Sequence, residues 1–139
     1  MEKIYSKIEE NKLLHFIHRK NEFIDGRLDL VSEENFIQCS SLKMNKDKTF
    51  RPHKHIWKER TRNVIAQESW VVISGSVKCS FYDLDDTLIT EIILYSGDAS
   101  FTLEGGHTYT ILEDNTLVYE YKTGPYEGVE NDKIFLDTL

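Results

Sequence analysis

From Asn35 to the C-terminus, the apolar residues come in short runs rich in β-branched and aromatic side chains, and each run is closed by turn residues. Runs of this length suit strands, and their spacing predicts an all-β chain. Residues 36–44 form one expected strand, ended by Asn45, Lys46, Asp47 and Lys48. Trp70, Val71, Val72 and Ile73 are apolar on both faces, which predicts a central strand. Val77, Cys79 and Phe81 alternate with Lys78, Ser80 and Tyr82, as in a strand with one buried and one wet face. The turn Asp83, Leu84, Asp85, Asp86 then leads into residues 88–95 as a hairpin. It holds three acids but lacks the glycine and final glutamate of a calcium loop, so a turn explains it. Gly97-Asp98 and Glu113, Asp114, Asn115 are short connections around residues 108–112 and 116–122. Gly124, Pro125 and Tyr126 end the sheet region. The tail through Ile134, Phe135 and Leu136 is expected to pack on the outside or on a second subunit.

Before Asn35 the signal is mixed. Ile4, Ile8, Leu13, Leu14, Phe16 and Ile17 fit an amphipathic helix over residues 2–20 about as well as strand structure, and both readings stand. His15 and His18 would share a face if that segment were helical, in a structural role.

At 139 residues the chain suffices for one domain that buries about two-thirds of its unfolded surface. A net charge of −7, with no Lys/Arg run longer than two, argues against nucleic acid and anionic membranes as partners. No apolar stretch nears the roughly 18 residues that cross a bilayer, and Met1-Glu2-Lys3 does not begin a signal peptide. A soluble cytoplasmic protein is expected. Cys39 and Cys79 lack metal-type or redox-type spacing and are expected to be reduced, buried thiols.

The chemistry is concentrated in His53, His55, Glu68 and His107. Imidazole nitrogens and a carboxylate hold divalent transition metals, and four such ligands leave room for water or substrate. In a strand, side chains at i and i+2 share a face, so His53 and His55 can reach one ion. In a helix they would point roughly 200° apart. Pro52, just before the pair, suits a strand start.

The same residues carry a family resemblance. His53-Lys54-His55, then Glu68 with Gly75 seven residues on, and then Gly97-Asp98, Gly105 and His107, resemble the two motifs of the cupin superfamily. Here twelve residues separate His55 from Glu68, and no glycine precedes the histidine pair. Leu103 stands where proline is common, and His107 comes one residue early. A bulge at Gly105-Gly106 is therefore expected, to aim His107 at the metal. The inserted residues 56–67 are expected to form a loop at the barrel mouth, leaving the fourth position to Glu68 or a neighbour. Within the superfamily, residues 51–133 are similar to small single-domain bacterial cupins associated with surface-polysaccharide gene clusters.

The resemblance implies a single-domain double-stranded β-helix, or jelly-roll barrel, over residues 35–139. Residues 1–34 would be an N-terminal extension, of possible helical character, packing on it. It also implies one divalent transition metal ion, iron, manganese, nickel or zinc, held by His53, His55, Glu68 and His107. Around the ion, Arg60 and Arg62 lie in the insertion, where a guanidinium could clamp a carboxylate or phosphate or be simple surface charge. Tyr109 shares the face of His107, as an acid/base group or a core tyrosine. Gln38 could face the cavity from the first strand. Arg62 and Tyr109 are the expected catalytic residues, and Arg60, Arg62, Gln38 and Tyr109 the expected substrate contacts. Two functions stand: a metal-dependent isomerase, epimerase or dioxygenase on a small oxygen-rich molecule such as a sugar or nucleotide-sugar derivative, or a non-catalytic metal-dependent binding protein. A homodimer is expected, because pairing covers edge strands.

Overall fold

The computed structural model describes residues 1–6, 8–17, 19–58, 64–124 and 128–137. Its strands are β1 (Glu2–Tyr5), β2 (Leu13–Ile17), β3 (Gly26–Asp29), β4 (Ile37–Met44), β5 (His53–His55), β6 (Trp57–Lys58) and β7 (Val64–Ile65). There follow β8 (Glu68–Ser74), β9 (Ser76–Tyr82), β10 (Leu88–Tyr95), β11 (Ala99–Thr102), β12 (Gly106–Ile111) and β13 (Thr116–Thr123). One helical turn, α1 (Val129–Asp132), precedes the last strand, β14 (Lys133–Phe135). Two five-stranded sheets dominate, in the orders β10-β9-β12-β5-β14 and β11-β8-β13-β4-β3. Every strand pairing within them is antiparallel. The all-β expectation holds.

The sheets bury their inner faces against each other, and the period-2 pattern sorts those faces along their length. Leu42, Met44, Trp70, Val72 and Val118 from one sheet meet Val77, Cys79, Leu94, Tyr109 and Ile111 from the other in one apolar core. Stepping along the inner face of β4 gives Gln38, Ser40, Leu42, Met44; along β8, Glu68, Trp70, Val72; along β12, His107, Tyr109, Ile111. Each strand thus runs from polar to apolar, and the polar ends come together at one mouth of the sandwich. Cys39 and Cys79 are both free and buried.

Several elements differ from their sequence expectation. The N-terminal segment is not helical: β1 and β2 form an antiparallel hairpin. Ser6 Oγ accepts hydrogen bonds from the amides of Ile8 and Glu9, and Asn11 adopts φ +60°, so the chain reverses where a helix would continue. His15 lies in β2, and His18 lies outside the described residues. Strand β3 pairs with β4, so the sheet begins before residue 35. Strand β8 is central as expected, lying between β11 and β13, although only its Trp70 and Val72 face is fully buried while Val71 and Ile73 are half-buried. The C-terminal tail joins the structure as strand β14, pairing with β5 beside the histidines. Within the insertion, β6 and β7 pair as a short hairpin. No helix among the described residues is long and apolar enough to cross a membrane.

Candidate metal centre

Strand β5 sits between β12 and β14, and its two histidines point inward because they are two residues apart. Lys54, between them, points the other way and bonds Asp86 at 2.6 Å. His107 is the direct cross-strand partner of His53, which brings a third imidazole onto the same face. Glu68, at the start of β8, reaches across from the opposite sheet. One ligand atom from each of His53, His55, Glu68 and His107 lies within 4.8 Å of the others, and all four residues are buried. Despite the twelve-residue insertion, Glu68 itself completes the group.

Glycine makes the approach of β12 possible. Gly105 has φ +93°, and a Cβ there would lie 2.7 Å from the carbonyl oxygen of Tyr82. The expected bulge at Gly105-Gly106 does not form: no register shift interrupts the pairing of β12, and a left-handed Gly105 just before the strand directs the chain instead. From Gly106 onward the pairing with β9 runs in continuous register.

Two rings are hydrogen-bonded from behind, and the third faces a carboxylate. His53 Nδ1 lies 3.1 Å from the carbonyl oxygen of Arg51, and His107 Nδ1 2.8 Å from Thr102 Oγ1. His55 Nδ1 faces Asp132 Oδ2 at 3.3 Å. With the proton on each Nδ1, every Nε2 presents a lone pair to the centre, the arrangement metal-binding histidines need. At the centre, Glu68 Oε2 lies 2.9 Å from His55 Nε2 and 3.4 Å from His107 Nε2. These spacings match the roughly 3.0–3.4 Å between adjacent ligand atoms around an ion with bonds near 2.1 Å. The Nε2 atoms of His53 and His107 are buried without a hydrogen-bond partner, a cost that a bound cation removes. The residues present therefore fit a divalent metal ion.

The charges follow the same geometry. Burial alone would raise the Glu68 carboxyl, but its contacts with His107 and His55 outweigh that and hold it well below the usual carboxylate range. Burial, with nearby Lys133 adding to it, pushes His53 down to about 4, so this ring stays neutral. Burial also acts to lower His55, yet its bonds with Asp132 and Glu68 prevail and raise it. Burial pushes the Tyr109 hydroxyl well above its usual range, and the charge of Glu68 adds to this.

Beside the ligands lies a cavity of about 230 Å³. His53, Glu68, Trp70, Tyr109, Lys122 and Lys133 are among its walls. Trp70 Nε1 donates to both Glu68 Oε1 and Glu120 Oε2, each at 3.1 Å, and so orients the metal-side carboxylate. Arg27 in turn holds Glu120 at 2.8 Å and Asp29 at 2.8 Å.

Of the residues expected around the ion, Gln38 and Tyr109 both line the cavity. The Gln38 amide nitrogen donates to the carbonyl of Asn35 at 2.7 Å, so it ties down a wall loop. The Tyr109 ring stacks on Trp70 with centroids 3.8 Å apart. Its hydroxyl lies 3.3 Å from His107 Nδ1, behind the ligand ring, where it suits positioning more than proton transfer. Arg60 and Arg62 lie outside the described residues. Sequence reading missed Asp132 and Thr102, which hold the backs of two histidines, and Lys122 and Lys133. Cross-strand register would have found them, but register is set by the fold and not by spacing along the chain.

No family model matches this chain, and no curated protein matches it. Among solved structures it is similar to KdgF from Halomonas sp., with a TM-score of 0.54 and 17% identity over 73% of this chain and 80% of that one. It is also similar to a single-site variant of Bacillus subtilis oxalate decarboxylase, with a TM-score of 0.60 and 14% identity over 82% of this chain and 29% of that one. A third likeness is to the coconut allergen cocosin, with a TM-score of 0.51 and 11% identity over 63% of this chain and 22% of that one. This chain spans less than a third of the latter two proteins. These neighbours are cupins, and the likeness shows the cupin fold.

Proposed function

We propose that this chain is a metal-dependent enzyme acting on a small oxygen-rich molecule, a sugar or nucleotide-sugar derivative. One observation carries the reading: three imidazoles and a carboxylate converge, within 4.8 Å, at a cavity with space for a ligand. A divalent ion there supplies Lewis-acid polarisation of a carbonyl or enediolate, or a site for dioxygen. His53, His55, Glu68 and His107 would hold it. Thr102, Asp132 and the Arg51 carbonyl fix the rings, and Trp70 fixes the carboxylate. The likeness to KdgF and to oxalate decarboxylase supports small-molecule chemistry in such a cavity. The surface-polysaccharide context and pairing into a homodimer belong to the same proposal, and sedimentation velocity reads the second directly.

A second reading, a metal-dependent binding protein without turnover, has its own support. Two candidate acid/base groups of the cavity are already engaged: Glu120 by Arg27 and Trp70, and the Tyr109 hydroxyl behind His107. The test is to incubate metal-loaded protein with aldoses, uronic acids and nucleotide sugars in deuterated water, with and without air. Deuterium at a carbon next to a carbonyl indicates isomerase or epimerase chemistry, and oxygen consumption indicates a dioxygenase. Tight binding with neither result favours the binding protein.

A further inference from the structure

The metal-side cavity carries positive charge that the ligand set does not use. Lys122 is the cross-strand partner of Glu68, and Lys133 is the cross-strand partner of His55. Directly opposed residues on antiparallel strands project to the same face, so both lysine stems start on the ligand side. Both residues line the cavity together with His53 and Glu68. Lys133 is half-buried, its backbone amide donates to the Val129 carbonyl, and among the described residues its ammonium forms no hydrogen bond or ion pair.

Asp29 and Glu33 line the cavity as exposed residues, and the buried acids nearby have other contacts. Glu68 faces the imidazoles, Asp132 faces His55, and Glu120 is held by Arg27 and Trp70. A half-buried ammonium without an ion pair is costly, and a negatively charged ligand offsets that cost. The cavity, at about 230 Å³, is below the roughly 300–1,000 Å³ of sites that enclose drug-sized molecules, so it suits one small molecule or one end of a larger one.

We infer that Lys133, with Lys122 beside it, is the carboxylate-recognising arm of this site, and that the ligand is a small hydroxy- or oxo-carboxylate of sugar-acid type. Its carboxylate meets Lys133 while a neighbouring oxygen faces the metal position. The inference rests on the metal reading above and narrows it from oxygen-rich molecules to anionic ones. It makes Lys133 a specificity residue, since a neutral sugar of the same size leaves the ammonium unpaired.

The test uses the full chain loaded with metal, titrated calorimetrically with D-glucuronate and with D-glucose, while metal content is measured in parallel. Wild type should bind the acid about tenfold or more tightly than the neutral sugar, the scale of one charge-assisted hydrogen bond. Lys133→Met should lose that preference, with its metal content and glucose affinity unchanged. Lys133→Arg, which keeps the charge, should retain most of it. No preference in wild type, or an undiminished preference in Lys133→Met, overturns the inference. Loss of metal in Lys133→Met also overturns it, since the lysine would then be supporting the ligands. Absence of metal from wild type refutes the metal reading itself, and the metal analysis reports that separately from the titrations.

Discussion

Asp132 was invisible in the sequence, and its replacement tests the centre from behind. Asp132→Asn keeps the side-chain size and removes one negative charge. In the structure this carboxylate is 1% exposed and stands 3.3 Å from His55 Nδ1. A carboxylate there fixes the tautomer of His55 and makes its Nε2 a better donor, and losing such a partner costs about 10- to 100-fold in metal affinity. The 3.3 Å contact is longer than the roughly 2.7–2.9 Å of the strongest charge-assisted hydrogen bonds. The lower end of the range therefore applies: about tenfold, or roughly 1.4 kcal/mol. A competition titration of zinc or cobalt against a chromogenic chelator near neutral pH reads this directly, and circular dichroism confirms the fold. Unchanged affinity in a folded variant would refute the argument that Asp132 orients His55. Complete loss of metal from a folded variant would refute it too, because Asp132 would then be a ligand.

Three further outcomes follow from the same geometry. In the metal-free protein, the unfolded His53 ring takes a proton near 6.5 while the folded one resists to about 4. Stability should thus fall by roughly 3 kcal/mol between these values as pH drops, and depressed Glu68 should add a further loss at lower pH. His55 is raised, so its contribution is complete below 6.5 and is lost as pH rises through its folded value; denaturant titrations across pH should show a maximum, and a flat profile would count against the buried site. Tyr109→Phe removes hydroxyl contacts at 3.3 Å to Ser100 and His107 but keeps the ring available to stack on Trp70. It should cost about 1 kcal/mol of stability and leave metal affinity and turnover near wild type, whereas an acid/base role would lower turnover by about 100-fold or more. Gly105→Ala forces a side chain onto φ +93° and against the Tyr82 carbonyl, while Gly97→Ala, at φ +89°, meets nothing within 4 Å. Chemical denaturation should therefore show a cost of about 1–3 kcal/mol from strain at Gly97 and a larger one at Gly105.

The fold was legible because its period-2 pattern is strong. Residues 36–44, 77–82 and 88–95 read as strands from alternation and turn chemistry alone, and β4, β9 and β10 match them to within one residue at each end. His53 and His55 were legible for the same reason: a strand puts i and i+2 on one face. Glu68 and His107 needed the family resemblance, since only strand pairing brings them beside β5. The N-terminal hairpin was not legible, because Ile4, Ile8, Leu13 and Phe16 satisfy two periods until Ser6 and Asn11 turn the chain. Asp132, Lys122 and Lys133 were missed because each acts through a partner far away in sequence. Arg60 and Arg62, expected to shape specificity, lie outside the described residues.

In the proposed function, His53, His55, Glu68 and His107 hold one metal ion. The most direct test is elemental analysis of protein purified without chelators, for wild type and for His53→Ala combined with His55→Ala. Close to one divalent transition ion per wild-type chain is expected, and none above background in the folded double variant. Metal that stays bound in the double variant, or a wild-type protein that neither carries nor takes up a divalent transition ion, would contradict it.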